Sequence, residues 1–277
     1  MESDLGDVQT LMPTFLGLFS GLDLLLFIYF RPRRENETPV RKRKRHELIF
    51  AITAFFHGFC SFFLSFVVLA MEGINLFQPN TFFQKLLISF SMAYFICDTI
   101  TGIAFGINDF PMVLHHLFVL LGYSGCLHKD RYGSFVMGFL FLTESSNSFF
   151  QLRTIFGYRS DTENLSFFCG ILFIVTFLAA RTFLLAELLF PVFGSTASLS
   201  VKVLSGLIWL LSLHWSWVML NLLFKELKDS SSSFVRWGHE KLNALRRKKA
   251  FLTLLYLCFA SLAFGKTILV WNHEELL

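Results

Sequence analysis

Seven long apolar stretches run through the chain, near residues 11–30, 48–71, 83–107, 110–127, 133–152, 165–190 and 201–224, separated by shorter polar breaks; a shorter stretch follows near 250–269. A helix rising ~1.5 Å per residue needs about 20 mostly apolar residues to cross the ~30 Å hydrocarbon core of a bilayer, so all seven are long enough to span it. The eighth is weaker, because Lys266 interrupts a short apolar core. The alternating pattern of roughly ten-residue segments that marks a membrane β-barrel is absent. The pattern therefore predicts an all-α polytopic membrane protein, a bundle of about seven to eight transmembrane helices. It divides into 1–45 (first helix and a basic loop), 46–228 (the helical membrane core) and 229–277 (a flexible Ser-rich loop and an extra C-terminal helix).

Composition agrees. Hydrophobic residues make up 54% of the chain, charged residues 16%, the mean hydropathy is +0.58, and 37 of 277 residues are Phe. A soluble domain carries about 25% charged residues. The start, MESDLGDVQTLMPTF, is acidic and lacks the basic region and small-residue cleavage site of a signal peptide, so the first helix is expected to be retained. Cys60, Cys97, Cys126, Cys169 and Cys258 all fall in apolar stretches with no paired spacing, which reads as packing rather than as a disulfide framework or metal site.

Charge sets the orientation. Segments 31–46 and 225–249 hold eight Lys/Arg each. If both are cytoplasmic, as the positive-inside rule asks, alternation of eight helices puts the turn at 108–109 and the loop at 153–164 on the same side, with Arg153 and Arg159. The opposite side then carries only Lys129 and Arg131, and both termini lie there. The two basic loops read first as topology determinants and second as contacts for anionic headgroups or protein partners. No nucleic-acid motif accompanies them, and a net charge of +4 offers no domain-wide basic footprint. Residues 229–233, DSSSS, form a flexible linker by composition.

Candidate chemistry lies where ionisable residues interrupt apolar sequence: Asp98, the pair His115-His116 and Glu144. A charge at the centre of a spanning helix costs about 2.5–3.5 kcal/mol on insertion scales, so such groups face a bundle interior and pair with one another. Counted along their helices, all four fall in one slab of the cytoplasmic half. His214, with Trp215, Trp217 and Asn221, lies in the seventh stretch, and Arg181 in the sixth. A histidine beside a carboxylate can act as general base; the same set could hold a metal or a polar headgroup, or simply bond helices together. Successive helical residues point about 100° apart, so His115 and His116 cannot both face one cavity. The metal reading lacks an i,i+3 or i,i+4 ligand pair, and no metal or resident cofactor is expected.

The run MAYFICDTITGIAFGINDFPMVLHHLFVLLGYSGCL at 92–127, followed by FLFLTESSNSFFQLRTIFG at 139–157, resembles the core of the TLC domain. That membrane domain is shared by ceramide synthases, translocating-chain-associated membrane proteins, the ceroid-lipofuscinosis neuronal protein and several TLC domain-containing proteins. The resemblance is carried in order by Tyr94 and Asp98, by Asp109 and Pro111 of a short turn, by Leu114-His115-His116, and by Glu144, Ser146, Asn147, Ser148, Phe149 and Arg153. Arg181 and His214-Trp215-Ser216-Trp217 fall where the family has an arginine and a polar-aromatic pair. The likeness covers roughly residues 46–228. The ceramide synthase branch follows its histidine pair with a helix bearing two aspartates; here the matching helix has Glu144 alone, and Ser148 stands where many members have proline. The pattern is closer to the non-synthase members.

The resemblance implies a protein of the endoplasmic reticulum or plasma membrane that binds or handles membrane lipid of the fatty-acyl or sphingolipid class and influences lipid composition. Asp98, His115, His116 and Glu144 would form its polar centre, with Tyr94, Arg153, Arg181, His214 and Trp217 toward the lipid. The alternatives are a ceramide-synthase-like acyltransferase, with histidine as base and acyl-CoA as co-substrate, and an accessory subunit of a larger membrane complex.

Overall fold

The computed structural model describes residues 2–32 and 38–229. Residues 33–37 of the first basic loop, the linker from Ser230 onward, the remainder of the second basic loop and the stretch 250–269 lie outside the described residues. The helices are α1 (Glu2–Tyr29), α2 (Pro39–Glu72), α3 (Phe82–Ala104), α4 (Phe110–Lys129), α5 (Gly133–Gly157), α6 (Glu163–Phe177), α7 (Leu185–Gly194) and α8 (Leu199–Asp229). A π-helical segment, Leu178–Leu184, joins α6 to α7 into one continuous 32-residue span. Among the described residues six spans are long and apolar enough to cross a membrane: those of α1, α2, α3, α4, α6–α7 and α8. The seventh, α5, has a polar middle but is the bundle's centre: every residue from Gly133 through Ser146 is buried. The chain is an all-α polytopic membrane protein.

Local sequence fixes the helix ends. Thr81 and Gln84 form a capping box at the start of α3, satisfying two backbone donors reciprocally. Asp109 accepts from Met112 N at the start of α4, and Pro111 sits in the first turn, where a missing N–H costs nothing. Pro39 plays the same part in α2, whose 34 residues outrun a bilayer, so its basic first turns project beyond the hydrocarbon.

The loops sort to two faces, as alternation of the spans requires. On one, Phe105 of the α3–α4 turn stacks on Phe27 of α1 at 5.1 Å and meets His46 of α2 at 4.6 Å. On the other, Asn80 ties the α2–α3 loop to the α4–α5 turn. Its side-chain amide donates to Cys126 O at 3.0 Å, its Oδ1 accepts from Gly133 N at 2.7 Å, and its backbone N–H donates to Asp130 O at 3.2 Å. Lys85 pairs with Asp130 at 3.0 Å and Lys202 donates to Ser195 O at 2.7 Å, so these two lysines belong to this second face beside Lys129 and Arg131.

Candidate functional site

Three buried polar groupings lie between the helices. The first joins α3 to α4. His116 Nδ1 lies 3.0 Å from Thr99 Oγ1 and 3.5 Å from Asp98 Oδ2. The Thr99 hydroxyl hydrogen goes to Phe95 O at 2.6 Å, so its oxygen accepts from His116 Nδ1–H. That assignment leaves Nε2 with the lone pair. Tyr94 OH donates to Asp98 Oδ1 at 3.2 Å, and Asn108 Nδ2 donates to Asp98 O at 3.1 Å and Oδ2 at 3.3 Å. Asn108 reaches back because residue 102 is glycine: a Cβ there would lie 2.1 Å from Asn108 Nδ2.

The second grouping joins α1, α2 and α3. His57 is wholly buried and stacks on Tyr94 at 3.9 Å with the planes 7° apart. Its Nε2 is shared by Ser61 Oγ at 3.0 Å and Ser91 Oγ at 3.1 Å. Phe19 of α1 closes over both rings, and one helical turn farther on Thr53 donates to buried Asp23 at 2.6 Å. Neither His57 nor Asp23 figures among the residues singled out from sequence. The signal was available, since each is an ionisable residue inside an apolar run, FFHGFC and GLDLLLF.

The third grouping joins α4, α5 and the π-helical segment. Glu144, 3% exposed, accepts from Asn147 Nδ2 at 2.9 Å and lies against Gly58, where a Cβ would come within 3.0 Å of its Oε2. Arg181 is buried in the π-helical segment, a widened helical turn often found at functional sites. It donates from Nη2 to Thr143 O at 3.0 Å and lies over the Phe177 ring at 5.1 Å. Glu144, Arg181 and Tyr123 are in electrostatic reach of one another, and His115 is in reach of Arg181. His115 Nδ1 and Arg181 Nε are buried without a hydrogen-bond partner among the described residues.

The histidine pair therefore divides its work: His116 faces α3, while His115 turns to the Arg181 group and meets Trp215 of α8 edge-on at 5.4 Å. Tyr94, Asp98, His115, His116, Glu144 and Arg181 thus belong to this buried polar belt. Arg153, His214 and Trp217 do not; all three are exposed on the bundle's outside. Among the described residues no group of three or more His, Cys, Asp or Glu is arranged to hold a metal ion.

Above the third grouping, toward the Asn80 face, a partly open crevice lies between α4, α5 and α8. Its walls are three stripes of the same spacing: Val119, Gly122, Tyr123 and Cys126; Tyr132, Phe135, Val136 and Phe139; Val201, Leu204, Ser205 and Ile208. The i, i+3, i+4, i+7 repeat puts each set on one helix face over roughly 10 Å of rise. Tyr123 belongs to both the crevice and the Glu144–Arg181 group.

The family model of the TLC domain matches residues 49–225, from within α2 to near the end of α8. The chain belongs to the TLC domain family. A TLC domain-containing protein of Arabidopsis thaliana is 27% identical to it over 164 residues, 58% of this chain; the match spans 62% of that relative's length. All three polar groupings draw on the TLC domain, whereas Asp23 and Phe19 come from α1, which precedes the matched residues.

Proposed function

We propose that this TLC domain protein handles membrane lipid by holding a fatty-acyl chain in the crevice between α4, α5 and α8. The polar end of the lipid meets Tyr123, His115 and Arg181, and the protein thereby influences the lipid composition of its membrane, the endoplasmic reticulum. The observation that carries this reading is the continuity of an apolar crevice with a buried polar group through one residue, Tyr123. Ligand sites combine mostly apolar walls with a few convergent polar groups. Unpartnered buried polar atoms are costly; a lipid carbonyl or carboxylate would satisfy Arg181 Nε–H, and His115 Nδ1 as well in the tautomer that carries its proton there.

The test uses the purified protein in nanodiscs with a photoreactive fatty-acyl probe. Labelling is expected on α4, α5 and α8, and Val136→Trp, which fills the crevice, abolishes it. Labelling confined to lipid-facing positions such as Phe59 and Phe63, unchanged by that variant, rules the reading out. A second reading, acyl transfer, rests on the His116–Asp98 pair, in which Nε2 is free to take a proton. Acyl-CoA offered with sphingoid bases or lysophospholipids separates the two. No ceramide is expected, because the matching helix carries Glu144 alone; a product that disappears in His116→Ala would put the acyltransferase in its place.

A further inference from the structure

The charge of Arg181 is balanced, but its hydrogen-bonding capacity is not filled. A guanidinium stays charged inside a protein, and its burial is tolerable beside an opposite charge. Among the described residues, Glu144 is the carboxylate in electrostatic reach of Arg181, and both residues are buried. Arg181 Nη2 donates to Thr143 O at 3.0 Å and the Phe177 ring covers the guanidinium, while Nε is left without a partner. The Glu144 carboxylate is held by a different donor, Asn147 Nδ2 at 2.9 Å, and Asn147 in turn accepts from Gln151 Nε2 at 3.1 Å. The need at Arg181 is therefore for an acceptor, not for a charge.

The surroundings supply no further charge. The groups in electrostatic reach of His115 are Arg181 and His116, so a second proton on its imidazole would meet a cation and no counter-charge. No Asp, Glu, Lys, Arg or His lines the crevice, and the hydroxyl of Ser205 in its wall already donates to Val201 O at 2.6 Å. A carboxylate brought to Arg181 Nε would satisfy that N–H but leave one net negative charge inside the bundle, where an unpaired charge is costly. An uncharged carbonyl oxygen satisfies the same N–H and leaves the balance of Glu144 and Arg181 at zero.

We infer that the lipid taken by this site ends in an uncharged carbonyl, that of a fatty-acyl ester, amide or aldehyde, and that the balanced pair of Glu144 and Arg181 excludes the free carboxylate of a fatty acid. The inference rests on the lipid-holding reading of the crevice and names the class of lipid held there. It makes Glu144 the residue that sets the charge of the ligand, although Arg181 is the one that touches it.

Two probes with the same photoreactive alkyl chain test it on the full-length protein in nanodiscs, one ending in a methyl ester and the other in a carboxylate, at a pH where the acid is ionised. Labelling of the crevice residues is divided by labelling at Phe59 and Phe63, which are exposed on the outside of α2, so unequal partition of the probes into the bilayer cancels. In the wild type the ester should exceed the carboxylate by about tenfold or more. Glu144→Gln removes the balancing charge and keeps an acceptor for Asn147, so the order should reverse and the carboxylate should label the crevice more strongly. A carboxylate that labels the wild-type crevice as strongly as the ester overturns the inference and leaves the lipid-holding reading in place. An ester preference that persists unchanged in Glu144→Gln also overturns it, because charge balance would then not set the preference; if that variant does not elute as a monodisperse species, the wild-type ratio decides. No crevice labelling by either probe removes the lipid-holding reading itself, and the inference with it.

Discussion

Replacing Gly102 by alanine should destabilise the protein, even though the same change stabilises an ordinary helix. Gly102 lies in the last turn of α3, and an added Cβ would sit 2.1 Å from Asn108 Nδ2 and 2.4 Å from its Cγ. The Asn108 side chain must leave, giving up its hydrogen bonds to Asp98 O and to the Asp98 carboxylate. A bond to a charged group is worth about 1.5–3 kcal/mol and one to a backbone carbonyl about 0.5–1.5, whereas Gly→Ala in a helix returns about 1 kcal/mol. The net cost is therefore about 1–3.5 kcal/mol, and the sign must reverse once Asn108 is gone. In an Asn108→Ala background the clashing atoms no longer exist, and Gly102→Ala should raise stability by about 1 kcal/mol. Thermal unfolding of the wild type, both single variants and the double variant in detergent measures this. A Gly102→Ala effect of the same sign in both backgrounds would refute the argument that residue 102 is glycine to admit Asn108 to Asp98.

Further outcomes follow from the other groupings. Thr53→Val leaves the Asp23 carboxylate without its donor, a loss of about 1–3 kcal/mol that should loosen α1, whereas Thr53→Ser should restore most of it; alkylation of Cys97, which contacts Ser20 and Leu16 of α1, reports the loosening. Gly58→Ala pushes a methyl group to 3.0 Å from the Glu144 carboxylate and should lower the unfolding temperature more than Gly17→Ala, where nothing lies within 4 Å. Neither sequon, Asn36-Glu37-Thr38 nor Asn164-Leu165-Ser166, should be glycosylated if the basic loops face the cytoplasm, as the positive-inside rule asks; an endoglycosidase-sensitive shift lost in Asn36→Gln would invert that topology.

Much of this arrangement is written in the apolar pattern because a bilayer leaves the backbone few choices. The stretch near 83–107 becomes α3, and that near 133–152 becomes α5 with its polar residues 143–146 buried in the middle of the bundle. The rule that ionisable groups in apolar sequence turn inward located Asp98, His116, Glu144 and Arg181, and applied to every stretch it would have reached His57 and Asp23. The same rule does not say which polar residue near a helix end turns outward: Arg153 is exposed at the outside of α5. Asn108 carries no sequence signal, because its role depends on the α3–α4 turn folding it back over a glycine. The crevice is hidden for a similar reason. Its three stripes sit on different helices, each resembling an ordinary apolar face, and only their convergence leaves space between them.

The measurement that bears most directly on lipid handling is an experimental structure of the protein purified in native-lipid nanodiscs. Elongated density should fill the crevice between α4, α5 and α8, with its polar end within hydrogen-bond distance of Tyr123, His115 or Arg181. A crevice closed by side chains, with ordered lipid only against the outer faces of the helices, would contradict the account.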